Sequence, residues 1–302
     1  MVTDRTFPAR PGGSCDPGAV TAQPDRPDGP AQPDRPDRPA RPDRLGSLGP
    51  GPGGPMAELR ERCAPLSFAP LPGFATAPPT APGWIPLARI ADPGDPALDR
   101  LLDARGDEPP GPRAVHTLRE LLRELLFATA GSVYLSGAAP QPSAQRYLYR
   151  IGPGGIDERL LVVDRDPVGD RELAPAFVGT LAPLVELVGE RTRVGSRTLW
   201  SYVVDMLHFG MMNVARQLGR DRAQAWRRAE ELAGHLFEAG LPRRSVPALV
   251  RYGATDDQVW GVRGACCLDF TDGVHGMCLT CPVLDAEERA RKWAASDLAG
   301  RK

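Results

Sequence analysis

The sequence has few cysteines before residue 265 and no long apolar stretch. Of the six cysteines in 302 residues, only Cys15 and Cys63 precede residue 265. No run of eighteen apolar residues is present, and the chain begins with a charged, proline-rich segment. From these absences we expect no membrane-spanning helix and no secretory signal. We therefore expect a cytoplasmic protein.

The sequence also lacks an excess of positive or negative charge. It lacks the common nucleotide-binding and hydrolase motifs as well. Lys and Arg together number 37 and Asp and Glu 38, which leaves a net charge of −1. A balanced chain has no general attraction to nucleic acid or to an anionic membrane. No Gly-x-Gly-x-x-Gly follows a predicted strand, and neither a Walker loop nor a Gly-x-Ser-x-Gly occurs. A bound nucleotide or flavin and serine-based hydrolysis are therefore not indicated.

Residues 1–55 differ in composition from the rest of the chain. They contain 13 of the 34 prolines and repeat the unit Pro-Asp-Arg-Pro. Such a segment has almost no apolar surface to bury, so we expect a disordered tail. Met56 begins the first ordinary sequence, which raises the second hypothesis that the protein starts there. We divide the remainder into a mainly helical body, residues 56–255, and a C-terminal cluster-binding segment, residues 256–302.

Hydrophobic periodicity in the body predicts an α+β protein that is mainly helical and has small β-hairpin elements. Leucines at helical spacing, capping residues and glycine or proline stops mark the helices. Alternating residues joined by a Gly-Pro-Gly-Gly turn mark a β-hairpin. The predicted helices cover 96–105, 113–134, 174–188, 196–219, 221–239 and 286–296, and the predicted strands cover 145–151, 158–164, 246–252 and 258–262.

The other four cysteines lie within sixteen residues, in the pattern CCx(10)CxxC. Asp272-Gly273 is a strong signal for a two-residue hairpin turn. Pairing outward from that turn places Cys267 opposite Cys278, with Cys266 and Cys281 beside them. The sequence therefore predicts a cysteine-rich hairpin that brings four sulfurs together, where a metal would neutralise the thiolates.

Three kinds of occupant are compatible with four such thiols. Structural zinc accepts four thiolates, but its usual frame is two CxxC knuckles, and here adjacent cysteines replace one knuckle. Disulfides are less expected in a chain without a secretory signal. An iron-sulfur cluster tolerates irregular spacing, and a proline such as Pro282 commonly follows one of its ligands. A zinc site of three cysteines and His275 would leave one cysteine unused.

The CCx(10)CxxC ending followed by proline resembles the C-terminal iron-sulfur motif of the FhuF-type ferric siderophore reductases. The segment Leu199-Trp200-Ser201 is similar to one that starts a helix in these proteins, and Arg263 precedes the cysteine pair as a basic residue. The resemblance extends over Met56 to the end and is firm in the last forty residues, whereas residues 1–55 match nothing in the family. It implies that one [2Fe-2S] cluster passes an electron to siderophore-bound ferric iron, with these ligands: Cys266, Cys267, Cys278 and Cys281.

Four arginines near the cysteines are candidates for substrate or partner binding: Arg243, Arg244, Arg251 and Arg263. They are expected to hold an electron-rich ferric chelate or to steer an acidic ferredoxin, although a solvated basic face would have the same composition. Other polar residues receive no functional role. We expect His116, His208 and His235 to be surface or half-buried histidines, and Asp205 and the pair Glu230-Glu231 to face solvent.

The function expected from these observations is one-electron reduction of chelated Fe(III) to Fe(II), which releases iron in the cytoplasm. The substrate would be a ferric siderophore, preferably of the hydroxamate type, and the electron donor a reduced ferredoxin or a similar protein. Two alternatives remain open at this point. One is a non-enzymatic protein stapled by zinc, and the other is an iron-sulfur redox sensor or electron carrier.

Overall fold

The computed structural model describes Glu61 and residues 71–243, 246–252, 258–272 and 276–295. The predicted tail at residues 1–55 and the alternative start at Met56 lie outside these residues and stay predictions. Two of the candidate site residues, Arg244 and His275, also lie outside them.

Helices make up most of the described chain, and all the long ones match the predicted periodicity. The sequence analysis located each of them, with ends that differ from the prediction by a few residues, but it did not predict α1. The helices are α1 (Leu87–Ile90), α2 (Ala97–Asp103), α3 (Pro110–Ser136), α4 (Asp170–Thr192), α5 (Ser196–Gln217), α6 (Arg222–Glu238) and α7 (Ala286–Ala294).

Helix α3 is the centre of the body, and α4, α5 and α6 all pack against it. It begins with Pro110, whose missing N–H is not needed in the first turn, and ends at Gly137 with φ +76°. Its residues from Leu125 to Val133 are buried all round, because helices cover one side and strands another. Helix α5 approaches it closely at Gly210, where an added Cβ would lie 2.8 Å from the Cβ of Ala130.

A four-stranded sheet covers the first half of α3. Its order is β1-β5-β4-β2, with β1 (Gly73–Ala75) parallel to β5 (Gly155–Val162) and β2 (Trp84–Pro86) antiparallel to β4 (Tyr147–Gly152). The β4–β5 hairpin confirms the predicted one. The Tyr149 hydroxyl donates to the Leu121 carbonyl at 2.8 Å, which joins the sheet to α3.

Two further strand pairs complete the described part of the fold. Strands β3 (Ala138–Ala139) and β6 (Val168–Gly169) form a short antiparallel ladder. Strands β7 (Ala248–Tyr252) and β8 (Gln258–Val262) form a longer one, and both lie where strands were predicted. The second pair bridges the predicted boundary at residue 255 and packs in an apolar cluster made of Met212, Trp226, Tyr252, Trp260, Val262 and Trp293. The C-terminal segment therefore shares a core with the helical body.

Helix α4 is the one helix of the described residues that is long and apolar enough to cross a membrane. Half of its most apolar window is buried inside the protein, against α3, α5 and α6. The helix runs unbroken through Pro175 and Pro183. Together these elements give a mainly helical α+β fold, in agreement with the sequence analysis.

Candidate functional site

The four clustered cysteines lie in the segment between β8 and α7. The predicted hairpin is wrong on its first arm, because Asp269–Asp272 forms a 3-10 helix instead of a strand. The reason lies one residue earlier, where Leu268 has φ +64° and turns the chain out of the extended path. A leucine in this left-handed region costs about 1–2 kcal/mol, so surrounding contacts must hold it there.

Those contacts come from the start of α3. The Leu268 side chain lies over Gly111, where an added Cβ would meet its Cδ1 at 2.5 Å. His116 lies between two carboxylates, with Nδ1 3.0 Å from Glu108 Oε2 and Nε2 2.8 Å from Asp269 Oδ1. The second contact has no aligned hydrogen bond, since Asp269 Oδ1 accepts none from the described residues. His116 is half-buried, as predicted.

The four thiols are free and meet in two pairs. Cys267 is in hydrogen-bond contact with Cys278, and Cys266 with Cys281. Cys281 is buried and the other three are partly buried. Cys267 and Cys278 therefore meet as predicted, although Asp269–Asp272 forms a 3-10 helix in place of the predicted strand; the predicted turn at Gly273 lies outside the described residues.

The paired thiols differ in acidity. The hydrogen bond from Cys267 lowers the pKa of Cys278 to about 5, and the positive charge of Arg263 acts in the same direction. The same contact, together with burial, raises the pKa of Cys267. Burial also raises the pKa of Cys266, although the Leu268 N–H donates to its Sγ at 3.4 Å. One thiolate at neutral pH is thus already favoured within this group.

The backbone before the cysteine pair is bound to α5 through Asp205. Its Oδ1 accepts the Gly264 N–H at 2.7 Å and its Oδ2 accepts the Ala265 N–H at 3.1 Å. Asp205 is only 1% exposed, so the expectation that it faces solvent is wrong. Burial raises its pKa to about 7, against the two hydrogen bonds and the nearby Arg263 charge, which lower it. Glu230 and Glu231 are exposed, as expected.

Helix α7 holds the second half of the cysteine segment through side chains near its C-terminal end. Lys292 Nζ donates to the Met277 carbonyl at 3.0 Å, and Trp293 Nε1 donates to the Leu279 carbonyl at 2.9 Å. Arg289 donates to the Cys281 carbonyl at 3.3 Å. All three contacts are bonds from side chains of α7 to carbonyl oxygens of the segment.

The candidate arginines differ in their relation to the thiols. Arg263 is close enough for the charges of Cys278 and Cys267 to favour its protonated form, and its N–H donates to the Thr280 carbonyl at 2.9 Å. Arg243 is exposed and stacks on Phe237, with its guanidinium carbon 5.4 Å from the ring centroid. Arg251 is exposed on β7. The charge of Arg263 therefore acts on the cysteines.

Two adjoining cavities lie at the turn of the β4–β5 hairpin, beside α2. Their volumes are 530 and 270 Å³, and both are lined by Arg100 and Ile151. Glu120 connects this turn to α3 by accepting the Ile156 N–H at 3.1 Å, one helical turn beyond His116. The β4–β5 hairpin and the cysteine segment therefore contact successive turns of α3, through Glu120 and His116 respectively.

Whether the cysteines fit a metal group depends on the chemistry of their donor set. Among residues 71–295 that the structure describes, no three Cys, His, Asp or Glu side chains stand as a preformed metal site. The donors themselves fit an iron-sulfur cluster: four free thiols, divided two and two, with adjacent cysteines directed to different partners. A [2Fe-2S] cluster takes two cysteines at each iron, so four free thiols in one segment match its donor requirement.

Comparison with known proteins adds no family assignment. No protein-family profile matches the chain, and no curated protein sequence matches it. The resemblance to the ferric siderophore reductases therefore depends on the cysteine motif and the short segments named with it.

Proposed function

We propose that the chain is a ferric-siderophore reductase that binds one [2Fe-2S] cluster through Cys266, Cys267, Cys278 and Cys281. The observation that carries this proposal is the contact of four free thiols in two pairs, Cys266 with Cys281 and Cys267 with Cys278. Adjacent cysteines in place of one CxxC knuckle depart from the usual zinc frame, whereas an iron-sulfur cluster tolerates irregular spacing.

The bound cluster would supply one electron at a time, which suits the reduction of Fe(III) to Fe(II). Hydroxamate and catecholate oxygens hold Fe(II) less tightly than Fe(III), because Fe(II) has the lower charge. Iron is then released in the cytoplasm without hydrolysis of the chelate. A reduced ferredoxin or a similar protein is the proposed electron donor.

The residues around the thiols have separate tasks in this proposal. Arg263 compensates the negative charge of the thiolates, and the Leu268 N–H donates to the sulfur of Cys266. Thr280 Oγ1 lies 3.7 Å from the sulfur of Cys278. Positive charge and hydrogen bonds of this kind raise the reduction potential of an iron-sulfur centre. Arg243, Arg244 and Arg251 remain candidates for contact with the anionic chelate or the donor protein.

The first experiment is anaerobic purification followed by an absorption spectrum and by iron and sulfide analysis. We expect a coloured protein with two irons and two sulfides per chain. Cys281→Ser is expected to lose the colour and the iron, and Cys63→Ser, the matched control outside the motif, to keep both. A colourless wild-type protein that contains zinc would instead support the zinc-stapled alternative.

The second experiment tests the reaction itself. Protein reduced with dithionite and freed of excess reductant is mixed with a ferric hydroxamate, and the cluster absorbance is followed. A reductase is expected to reoxidise rapidly while a ferrous chelator reports the released Fe(II). Cluster that stays reduced in the presence of the chelate would favour the sensor or electron-carrier alternative.

A further inference from the structure

Asp205 is a buried carboxylate on α5 that needs a physical reason for its position. It is 1% exposed, and an ionised carboxylate in such a place is stable only when hydrogen bonds or opposite charge compensate it. Its two oxygens accept the successive N–H groups of Gly264 and Ala265, which lie 59 and 60 residues further along the chain. Its partners are therefore the two residues directly before the cysteine pair.

The bonds of Asp205 fix one end of a short loop whose other parts are also fixed. The N–H of Arg263 is bound to the Thr280 carbonyl, which aligns the two halves of the cysteine segment. Leu268, after the pair, is held in a left-handed conformation against Gly111. Cys266 and Cys267 thus lie between two fixed points, of which Asp205 supplies the first.

Asp205 also contributes a charge at this place. The positive charge of Arg263 lowers the pKa of Asp205, and the negative charge of the Cys278 thiolate raises it, so all three groups are close enough to interact. Replacing either the carboxylate or the guanidinium therefore changes the charge felt at the sulfurs, in opposite senses.

We infer that Asp205 is a positioning residue of the cysteine site: it binds the backbone that carries Cys266 and Cys267, and its charge, opposed by that of Arg263, sets the electrostatic environment of the sulfurs. The backbone part of this inference is independent of the proposed function. The electrostatic part rests on the proposed iron-sulfur cluster, because its readout is a reduction potential.

The first test measures hydrogen exchange in the full-length, metal-free protein. Asp205→Asn keeps the size of the side chain but replaces one acceptor oxygen by an amide donor, so one of the two N–H groups loses its partner. We expect exchange in the peptide containing Gly264 and Ala265 to speed up roughly tenfold or more. The peptide containing Leu279, which α7 holds, should keep its rate. Glu230→Gln, an exposed carboxylate on α6, is the matched control and should change neither.

The second test measures the reduction potential of the cluster-containing protein at pH 8.5, above the pKa of about 7 to which burial raises Asp205 in the metal-free protein. Removing a negative charge favours the more negative reduced state, so Asp205→Asn should raise the potential, whereas Arg263→Gln should lower it. A purely structural role would not produce shifts of opposite sign. Equal or same-direction shifts, or unchanged exchange at Gly264 and Ala265, would overturn the inference.

The tests of Asp205 remain informative if the proposed function is wrong or if one variant does not fold. A wild-type protein without iron and sulfide would refute the proposed function and the electrostatic part of the inference, while hydrogen exchange would still decide the role of Asp205 in holding the backbone. Asp205→Ser, which leaves a small polar group in place, is the second variant if Asp205→Asn does not fold, and the same exchange result is expected from it.

Discussion

At the scale of single residues, His208 is a histidine whose protonation the fold opposes. It lies on α5 with 2% exposure, its Nδ1 2.9 Å from the Val204 carbonyl and its ring against Trp226. The sequence analysis expected a surface or half-buried histidine, and that expectation is wrong. Burial lowers the pKa of His208 to about 4, and the hydrogen bond to Val204 opposes this only in part.

This burial predicts a loss of stability in mild acid. The folded pKa lies below the unfolded value, so the native state binds fewer protons, and the stability that is full above about pH 6.5 falls as the pH approaches 4. The contribution of His208 to this loss is roughly 3 kcal/mol, whereas the raised pKa of Asp205 contributes a change of opposite sign below about pH 7, so a variant must separate the two. Urea unfolding at a series of pH values measures this loss. Between pH 6.5 and 4 the stability of His208→Gln should therefore rise relative to wild type by about that amount, and parallel curves for wild type and His208→Gln would contradict the assignment.

At the scale of secondary-structure elements, β8 is packed so closely on α5 and α6 that its glycine has no substitute. A Cβ added at Gly261 would lie 2.6 Å from Trp226 Cζ3 and 2.7 Å from Phe209 Cζ. Both contacts are with aromatic rings, which cannot turn aside as a flexible side chain can. The glycine therefore sets how close the strand that leads to the cysteines can come to the helices.

Gly261→Ala is predicted to destabilise the protein by about 1–3 kcal/mol, or more if the strand has to move. Gly179→Ala is the matched control, because Gly179 lies within α4 with open space around it, and alanine there should stabilise the helix by about 0.5–1 kcal/mol. Urea unfolding gives both values, and near-ultraviolet circular dichroism reports on the packing of Trp226. A Gly261→Ala protein as stable as wild type would show that β8 is not held in this way.

Whether an element could be predicted from the sequence depends on whether its signals are local or come from distant residues. Helices α3 to α6 and the β4–β5 hairpin have periodicity and turn signals within themselves, so local reasoning located them. Strand β1 could not be located, because its partner β5 lies more than eighty residues away and its three residues carry no pattern of their own. The first arm of the cysteine segment was predicted wrongly because Asp272-Gly273 is a local hairpin signal. The contact of Leu268 with Gly111 joins residues that are far apart in the sequence, so no local pattern indicates it.

For the candidate site, the sequence identified the four cysteines and Arg263, because cysteine spacing and basic charge are local signals. It did not identify Asp205, whose burial depends on two N–H groups that the fold brings from 59 and 60 residues away. An aspartate in the middle of a buried, apolar helix face, with Leu207 and Tyr202 nearby, was the available signal. An acidic residue in such a place requires a partner.

At the scale of the whole molecule, the question is whether the cysteine segment is a separate unit. Strands β7 and β8 pair across the predicted boundary at residue 255. Trp293 of α7 is 1% exposed and packs on Tyr252, with ring centroids 4.8 Å apart. Elements that share strand pairing and a buried aromatic cluster are expected to unfold together.

We therefore predict one cooperative thermal transition for the full chain, seen alike by calorimetry and by tryptophan fluorescence. Removing iron anaerobically with a chelator should lower the midpoint of that single transition, because a group that binds only the folded state stabilises all of it. Cys281→Ser should match the metal-free wild type and respond to the chelator no further. Two separate transitions, of which only one responds to iron removal, would instead mean that residues 256–302 form the independent segment proposed from composition, and that the shared aromatic cluster contributes little to holding it on the body.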